Sequence, residues 1–295
     1  MGTSNSYGGP GGNTPLVPSW LGDGSNIPSA PTLPPKGGKP DGTAPKVPKP
    51  NSKPAKPIVP PPTSDRFQAA RTNFTKFAKS GGRNRGALGR AISGYVSKSV
   101  GGPRRAAIRM GSSRAVTIGL AGFLSSVQSQ GVQQTLVSLN FQNLVGQPIE
   151  EIFLGLSDYI CPDGGSVDEG ISRNAFIETI ADLAELGITD LDSLTNHQIK
   201  TVIEMFATHA IEARLCNDIG TKIIIAPNDI KIVERAQLQL HDFINRSVSD
   251  ALSSTGANAD LNNLKSIDLT KFVDRIYEDS FTILQSLAEA ESDAV

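Results

Sequence analysis

From Phe67 onwards, hydrophobic residues recur at intervals of three and four positions, which is the spacing of one face of an α-helix. The first such stretch, capped by Thr63-Ser64 and ended by Gly81-Gly82, places five apolar residues on one face: Phe67, Ala70, Phe74, Phe77 and Ala78. A second, weaker helix is predicted over residues 86–99. We expect Gly89 and Gly94 to loosen it, because glycine lowers helix propensity.

The same periodicity continues to the end of the chain and predicts a series of further helices. A short helix begins at Pro148. Four longer ones follow: residues 172–186, a helix capped by Thr195 and ended by Gly220, a helix opened by Pro227-Asn228-Asp229 that runs to Leu252, and residues 268–290. Only the stretch from Lys222 to Ala226 is predicted to be extended. The expected fold class is therefore all-α, with little or no sheet.

Residues 115–149 contain no charged side chain. Their apolar part, Ala115 to Val127, is about thirteen residues long, whereas a helix needs about 20 residues to cross a bilayer. A helix buried in the protein core is therefore favoured over a membrane span. A membrane-acting effector stays open as an alternative, because the arginines that precede this segment would suit an anionic membrane surface.

The pattern is different before the first helix. Residues 1–64 hold 16 of the 20 prolines and 10 of the 29 glycines, a density without a period that predicts a disordered tail. Its second part, residues 36–57, alternates lysine and proline, as spacers do. An apolar island, Pro15-Leu16-Val17-Pro18-Ser19-Trp20, contains the only tryptophan, and we interpret it as a docking anchor for a partner.

Charge divides the chain into three expected regions: the tail at 1–64, a basic and loosely helical segment at 65–114, and an acidic all-α body at 115–295. The basic segment has twelve Lys or Arg against one Asp, and the body has ten basic against 26 acidic side chains. The net charge of −1 conceals this separation. A basic segment favours an acidic partner such as nucleic acid, but it is equally consistent with docking on the acidic body of the same chain.

A nucleic-acid-binding adaptor is thus one alternative function. Its phosphate contacts would come from arginines of the basic segment. The candidates are Arg83, Arg85, Arg90, Arg104, Arg105 and Arg109. Phenylalanines of the same segment offer base stacking, although their shared helical face is more simply explained as a core face.

The search for catalytic chemistry finds no phosphate-binding loop, zinc-protease motif or serine-hydrolase motif. His209 and Glu212 stand three residues apart, but a di-iron bundle needs this kind of pair twice, so we predict no metal site and no cofactor. Cys161 and Cys216 have no spacing that indicates a disulfide framework or zinc. No signal peptide is visible. We therefore expect a non-enzymatic protein of the cytoplasm.

The start of the chain carries the most informative feature. Gly2 is small, so removal of Met1 is expected, and this leaves a glycine α-amine with a reference pKa of about 8 on a long arm. Such an amine is partly neutral, and therefore nucleophilic, near neutral pH. Glycine has no Cβ, which lets its nitrogen enter a deep pocket. A myristoylation motif fits the same residues, but it implies an acylation machinery that nothing else in the chain indicates.

The first twenty residues resemble the opening of QatB proteins, which belong to four-component bacterial Qat anti-phage systems. The resemblance rests on three strings: Met1-Gly2-Thr3-Ser4, Gly8-Gly9-Pro10-Gly11-Gly12 and Pro15-Leu16-Val17-Pro18-Ser19-Trp20. It implies three partners: an ATPase, a QueC-like enzyme and a TatD-like nuclease. QueC-type enzymes use ATP to activate the carboxylate of a deazaguanine.

The resemblance further implies a role for Gly2 as the acceptor of a deazaguanine that the QueC-like partner attaches. Residues 3–20 would then be the stretch that this enzyme recognises. The residues expected to carry the recognition are Thr3, Ser4, Pro15, Leu16, Val17, Pro18 and Trp20.

Overall fold

Helices form all the regular structure in the described part of the protein. The computed structural model describes residues 66–162, 164–185, 191–192, 194–220, 230–256 and 266–293, all of which belong to one unit of the chain, Ile58–Val295. Within these residues the α-helices are α1 (Gln68–Lys79), α2 (Arg85–Gly94), α3 (Pro103–Ile108), α4 (Gly111–Gln130), α5 (Val132–Ser138), α6 (Ile149–Gly155), α7 (Ser157–Ile160), α8 (Val167–Glu185), α9 (Asn196–Ile219), α10 (Ile230–Gly256) and α11 (Ser266–Asp293). A π-helix, Tyr95–Val100, and a 3₁₀ turn, Gln142–Leu144, complete the set. The all-α prediction is confirmed.

Two long helices organise the core. α11 packs against α2, α3, α4 and α10, while α9 packs against α4, α8 and α10. Tyr277 of α11 is fully buried, and its hydroxyl is 3.0 Å from the Thr117 hydroxyl of α4, so its polar end is satisfied. The basic segment and the acidic helices thus share one core.

The first helix carries the apolar face that the sequence predicted. Ala70, Phe74, Phe77 and Ala78 are buried, and Gly81 and Gly82 end the helix with positive φ angles of 63° and 80°. The predicted cap at Thr63-Ser64 lies outside the described residues.

The second predicted helix is present, but Gly89 does not loosen it. A Cβ on Gly89 would lie 2.4 Å from the carbonyl oxygen of Ala288 and 2.9 Å from the backbone nitrogen of Ser292. The missing side chain is what lets α2 and α11 approach so closely. After Gly94 the chain continues as the π-helix, which carries the buried Tyr95.

The apolar part of the uncharged segment, Ala115 to Val127, forms a core helix, as predicted. α4 buries Val116, Leu120, Phe123, Leu124 and Val127. In the residues that the structure describes, no helix combines the length and the hydropathy needed to cross a membrane.

The predicted start of the helix at residue 172 is wrong, because α8 begins five residues earlier, at Val167. Ser166 and Glu169 form a reciprocal capping pair. The Ser166 backbone N–H donates to Glu169 Oε2 (2.8 Å), and the Glu169 backbone N–H donates to Ser166 Oγ (3.2 Å). This Ser-x-x-Glu signal is present in the sequence and fixes the true start.

The boundaries of α9 are confirmed. The Gln198 backbone N–H donates to the Thr195 hydroxyl, the Thr195 backbone N–H donates to Gln198 Oε1, and the helix is capped at Gly220. The predicted extended stretch Lys222 to Ala226 and the predicted helix opening at Pro227-Asn228-Asp229 lie outside the described residues. α10 continues to Gly256, four residues beyond the predicted end at Leu252.

Candidate functional site

The expected modification and recognition residues all lie in the tail, outside the described residues. They are Gly2, Thr3, Ser4, Pro15, Leu16, Val17, Pro18 and Trp20. Their roles therefore stay predictions, and the site geometry that follows belongs to the helical unit.

Five of the six candidate arginines are exposed: Arg83, Arg85, Arg90, Arg104 and Arg105. Arg85 pairs with Glu291 of α11 at 3.0 Å, and Arg109 pairs with Asp218 of α9 at 3.1 Å. Both pairs join the basic segment to the acidic helices, so part of its charge is compensated within the chain.

Asp218 stands at the centre of a buried polar network. Its carboxylate Oδ2 accepts hydrogen bonds from the Tyr95 hydroxyl (2.9 Å) and the Arg109 guanidinium (3.1 Å), and Arg214 Nε lies 3.3 Å away. Arg214 also pairs with Asp168 of α8. Burial raises the pKa of Tyr95 far above its ordinary value, and the Asp218 charge adds to this shift, so the hydroxyl stays a donor. The network ties the π-helix, α3, α8 and α9 together.

The aromatic residues of the basic segment are core residues. Phe67, Phe74, Phe77 and Tyr95 are each at most 7% exposed. Three guanidinium groups surround the Phe67 ring, with their carbons 5.3–5.9 Å from its centroid: those of Arg66, Arg71 and Arg109. These rings stabilise the fold and are not presented for base stacking.

A second cluster lies in a cleft between α8, α9 and α10, which we call the histidine cleft. It has a volume of about 620 Å³, and its lining includes His209 and Glu212 of α9 and His241 of α10. One ligand atom from each of these three residues lies within 4.8 Å of the others. Among the residues described, this is the group of histidine, cysteine and carboxylate side chains whose arrangement can hold a metal ion.

Carboxylates hold both imidazoles of the histidine cleft. His209 Nε2 is 2.6 Å from Asp182 Oδ2 of α8, and His241 Nδ1 is 2.9 Å from Glu212 Oε2. The hydrogen bond to Glu212 raises the pKa of His241, while burial opposes that shift. In the cleft wall, burial raises the pKa of Cys216 to about 12, and the nearby Glu212 charge adds to it, so this thiol stays protonated at neutral pH.

Two of the three residues of this cluster are related in the sequence. His209 and Glu212 stand three positions apart, and residues at this spacing share a helix face. No signal along the chain pointed to His241, which follows His209 by 32 positions and arrives through the packing of α10 on α9.

A different cleft of about 680 Å³ opens beside α4, on the uncharged segment. Its walls include Gly119 and Gly122 of α4, Leu139 after α5, and Tyr159 and Ile160 of α7. Tyr159 is 51% exposed, as an aromatic residue at a contact surface would be.

The fold and these surfaces define an all-α protein in which a basic segment is docked on acidic helices. Comparison with protein-family models gives a match over residues 101–284 to QatB, the Qat anti-phage system associated protein. The match covers more than half of the chain, so this protein belongs to the QatB family and is a component of a Qat anti-phage system. Neither the curated proteins nor the solved structures contain a match to it.

Proposed function

We propose that this protein is a non-enzymatic component of its Qat system, and that the α-amine of Gly2 is the acceptor for a deazaguanine carried by a QueC-like partner. The observation that carries the proposal is the opening string, in which Gly2 precedes the Pro15–Trp20 island in a QatB family member. Because the reaction consumes ATP, the cytoplasm is the expected compartment.

The chemistry needs only the amine from this chain. The nitrogen lone pair of Gly2 attacks the ATP-activated carboxyl carbon of the deazaguanine. A carbon–nitrogen amide bond forms, the bond from that carbon to the ATP-derived leaving group breaks, and one amine proton goes to solvent. The partner supplies activation and the pocket, and the tail supplies an amine that can reach it.

The helical unit supplies the anchor in this scheme. The cleft beside α4 is lined mostly by uncharged residues and includes the exposed Tyr159, which suits a protein partner better than a charged ligand. We propose that it docks a partner of the system, the ATPase first among the candidates, so that the tail acts next to the assembled complex.

Mass spectrometry of the protein produced with its neighbouring genes tests the proposal. The N-terminal peptide should gain the mass of one deazaguanine carboxylic acid less one water. The gain should vanish when the ATP site of the QueC-like partner is inactivated. An N-terminal peptide that keeps its unmodified mass during phage infection would contradict the proposal.

Substitutions in the tail separate acceptor from recognition. Gly2→Leu should retain Met1 and abolish the modification. Trp20→Ala should reduce the extent of modification, because the enzyme would bind the tail more weakly. Leu33→Ala is the matched control, because Leu33 lies in the tail but outside the island. If Trp20→Ala and Leu33→Ala behave alike, the island is not the recognition element.

The exposed arginines favour a second candidate function, binding of a nucleic acid or another acidic partner. Arg83, Arg90, Arg104 and Arg105 remain exposed, unlike Arg109. Replacing Arg104 and Arg105 by alanine should weaken DNA binding and lower the salt slope by about one per arginine. The control is Lys271→Ala, a 74% exposed cation on α11. Binding that is insensitive to salt would exclude this candidate.

A further inference from the structure

The histidine cleft brings together side chains that are common ligands of transition metals. His209, Glu212 and His241 offer two imidazoles and one carboxylate, and their ligand atoms lie within 4.8 Å of one another. Two histidines and one glutamate are a recurring set of three protein ligands for Zn²⁺, which leaves a fourth position open for water or substrate.

One of the three ligand-to-ligand distances is close to that around a bound ion. Ligand bonds to Zn²⁺ of about 2.0–2.1 Å place neighbouring tetrahedral ligands about 3.3 Å apart. His241 Nδ1 and Glu212 Oε2 are 2.9 Å apart and share a proton in the hydrogen bond. A metal ion would take the place of that proton, and a ring nitrogen of His209, which lies within 4.8 Å of the other two ligand atoms, would be the third ligand.

Asp182 supplies the outer contact that metal-binding histidines usually have. Its Oδ2 lies 2.6 Å from His209 Nε2, on a different helix from the imidazole. A carboxylate that accepts the N–H of one ring nitrogen fixes the tautomer and leaves the lone pair of the other nitrogen free for a metal. In this arrangement Nε2 of His209 faces Asp182 and Nδ1 is the ligand.

The surroundings favour a cation that can be reached from solvent. The side chains of His209, Glu212 and His241 are 12%, 19% and 31% exposed, so each is partly shielded but accessible. Glu178 of α8 and Glu234 of α10 also line the cleft and add negative potential.

We propose that His209, Glu212 and His241 bind one divalent transition-metal ion, Zn²⁺ foremost, and that Asp182 orients His209 as a positioning residue. The alternative for the same residues is a pair of histidine–carboxylate hydrogen bonds that only join α8, α9 and α10. The metal site and the purely structural role differ in one measurable result, which is whether the intact protein binds one equivalent of metal ion.

The test uses tag-free, full-length protein stripped with a chelator and then titrated with Zn²⁺ against a chromophoric competitor. One equivalent should bind, and Co²⁺ in its place should give the intense visible absorption of a four-coordinate site. The double variant His209→Ala with His241→Ala should lose at least a hundredfold in affinity. Asp182→Asn should lose about ten- to a hundredfold, as expected for an outer contact.

His197→Ala is the matched control, because His197 is an exposed histidine on the same helix, twelve positions before His209. It should bind Zn²⁺ as the parent does. Zn²⁺ should also raise the Tm of the parent and of His197→Ala, but not of the double variant, since only a ligand of the folded state stabilises it.

Three results would overturn the proposal. The first is failure of the unaltered protein to bind Zn²⁺ or Co²⁺, a readout that does not depend on any variant folding. The second is unchanged affinity in a double variant that has the far-ultraviolet circular dichroism of the parent. The third is a sulfur-to-cobalt charge-transfer band, which would make Cys216 a ligand and the proposed set incorrect.

Discussion

At the scale of single residues, Asp218 is a buried carboxylate that contacts one tyrosine and two arginines. Its side chain is 9% exposed and accepts hydrogen bonds from Tyr95 and Arg109, and it forms an ion pair with Arg214. A buried charge loses its hydration, and this costs free energy unless charged or hydrogen-bonding partners compensate for it. The sequence offered no means of choosing Asp218 among 26 acidic residues of the body.

The first prediction concerns Asp218→Asn. The variant keeps the shape of the side chain but removes the charge that faces two arginines, so it should lower the free energy of unfolding by about 3 kcal/mol. Urea denaturation followed by circular dichroism measures this. Asp158→Asn is the control, because Asp158 pairs with Arg173 at an 83% exposed position and should change stability by less than about 1 kcal/mol. An equal loss of unfolding free energy in the two variants would contradict the claim that burial makes the Asp218 interactions more stabilising.

The second prediction concerns Glu204, a half-buried residue of α9. Burial raises the pKa of this carboxyl above its ordinary value, although a hydrogen bond with Ser249 and the charge of His197 oppose the shift. The folded state therefore binds the proton more tightly than the unfolded state. The resulting stability is present in acid and is lost as the pH rises through the folded pKa.

Glu204→Gln stays uncharged at every pH and can still hydrogen-bond. The variant should therefore have a higher Tm than the parent at pH 7, with the difference disappearing below about pH 4, near the ordinary glutamate pKa. Differential scanning calorimetry across this range checks it. A variant that is less stable than the parent at pH 7 contradicts the assigned direction.

At the scale of helices, local signals predicted more than relationships between helices did. The limits of α9 followed from Thr195 and Gly220, since capping depends on residues within one turn. The start of α8 was missed even though Ser166 and Glu169 spell a capping box. This start is a local property of the sequence, because the capping pair lies within one helical turn.

Gly89 shows the opposite case. Sequence propensity indicated a weak point in α2, whereas the structure uses the residue as the close-approach point for α11. Helix propensity is a property of an isolated helix, and it does not include the effect of a neighbouring helix that packs against the glycine. The identity of that neighbour, nearly two hundred residues away, is a tertiary property.

The third prediction follows from this contact. Gly89→Ala places a Cβ against the Ala288 carbonyl and should lower the free energy of unfolding by about 1–3 kcal/mol, because α2 and α11 must separate. Gly94→Ala is the matched control. Its backbone is helical, with φ −64° and ψ −37°, and nothing lies within 4 Å of the added carbon.

Gly94→Ala should therefore leave stability unchanged or raise it by up to about 1 kcal/mol. Thermal unfolding of the two variants beside the parent makes the comparison. A destabilisation by Gly94→Ala as large as that by Gly89→Ala would contradict the assignment of the Gly89→Ala effect to the α11 contact.

At the scale of the whole molecule, the charge separation along the sequence becomes a docked arrangement. Arg85, Arg109 and Arg114 of the basic segment pair with Glu291, Asp218 and Asp274 of the acidic helices. The charge pattern alone is consistent with binding to a partner or to the same chain, and for these three arginines the structure shows partners in the same chain. The exposed arginines stay available for the second candidate function.

The fourth prediction separates the tail from the helical unit. Deletion of residues 2–20 should leave the Tm unchanged, because no described helix includes these residues. The same deletion should abolish protection against phage in cells that carry the complete Qat system. Plaque counts and thermal unfolding of the same variant measure the two effects. Full protection by the shortened protein would contradict the proposed role of Gly2.

The sequence by itself determined the helical character of the described chain, the apolar face of α1, the burial of α4, the limits of α9, and the family features at the start of the chain. These follow from periodicity and short strings, which are local. Only the tertiary structure decided that Asp218 meets Arg109, that Gly89 meets α11, and that His241 joins His209 and Glu212. Such contacts depend on how helices that are far apart in the sequence pack together. Helical periodicity specifies which face of a helix is apolar, but it does not specify which element packs against that face.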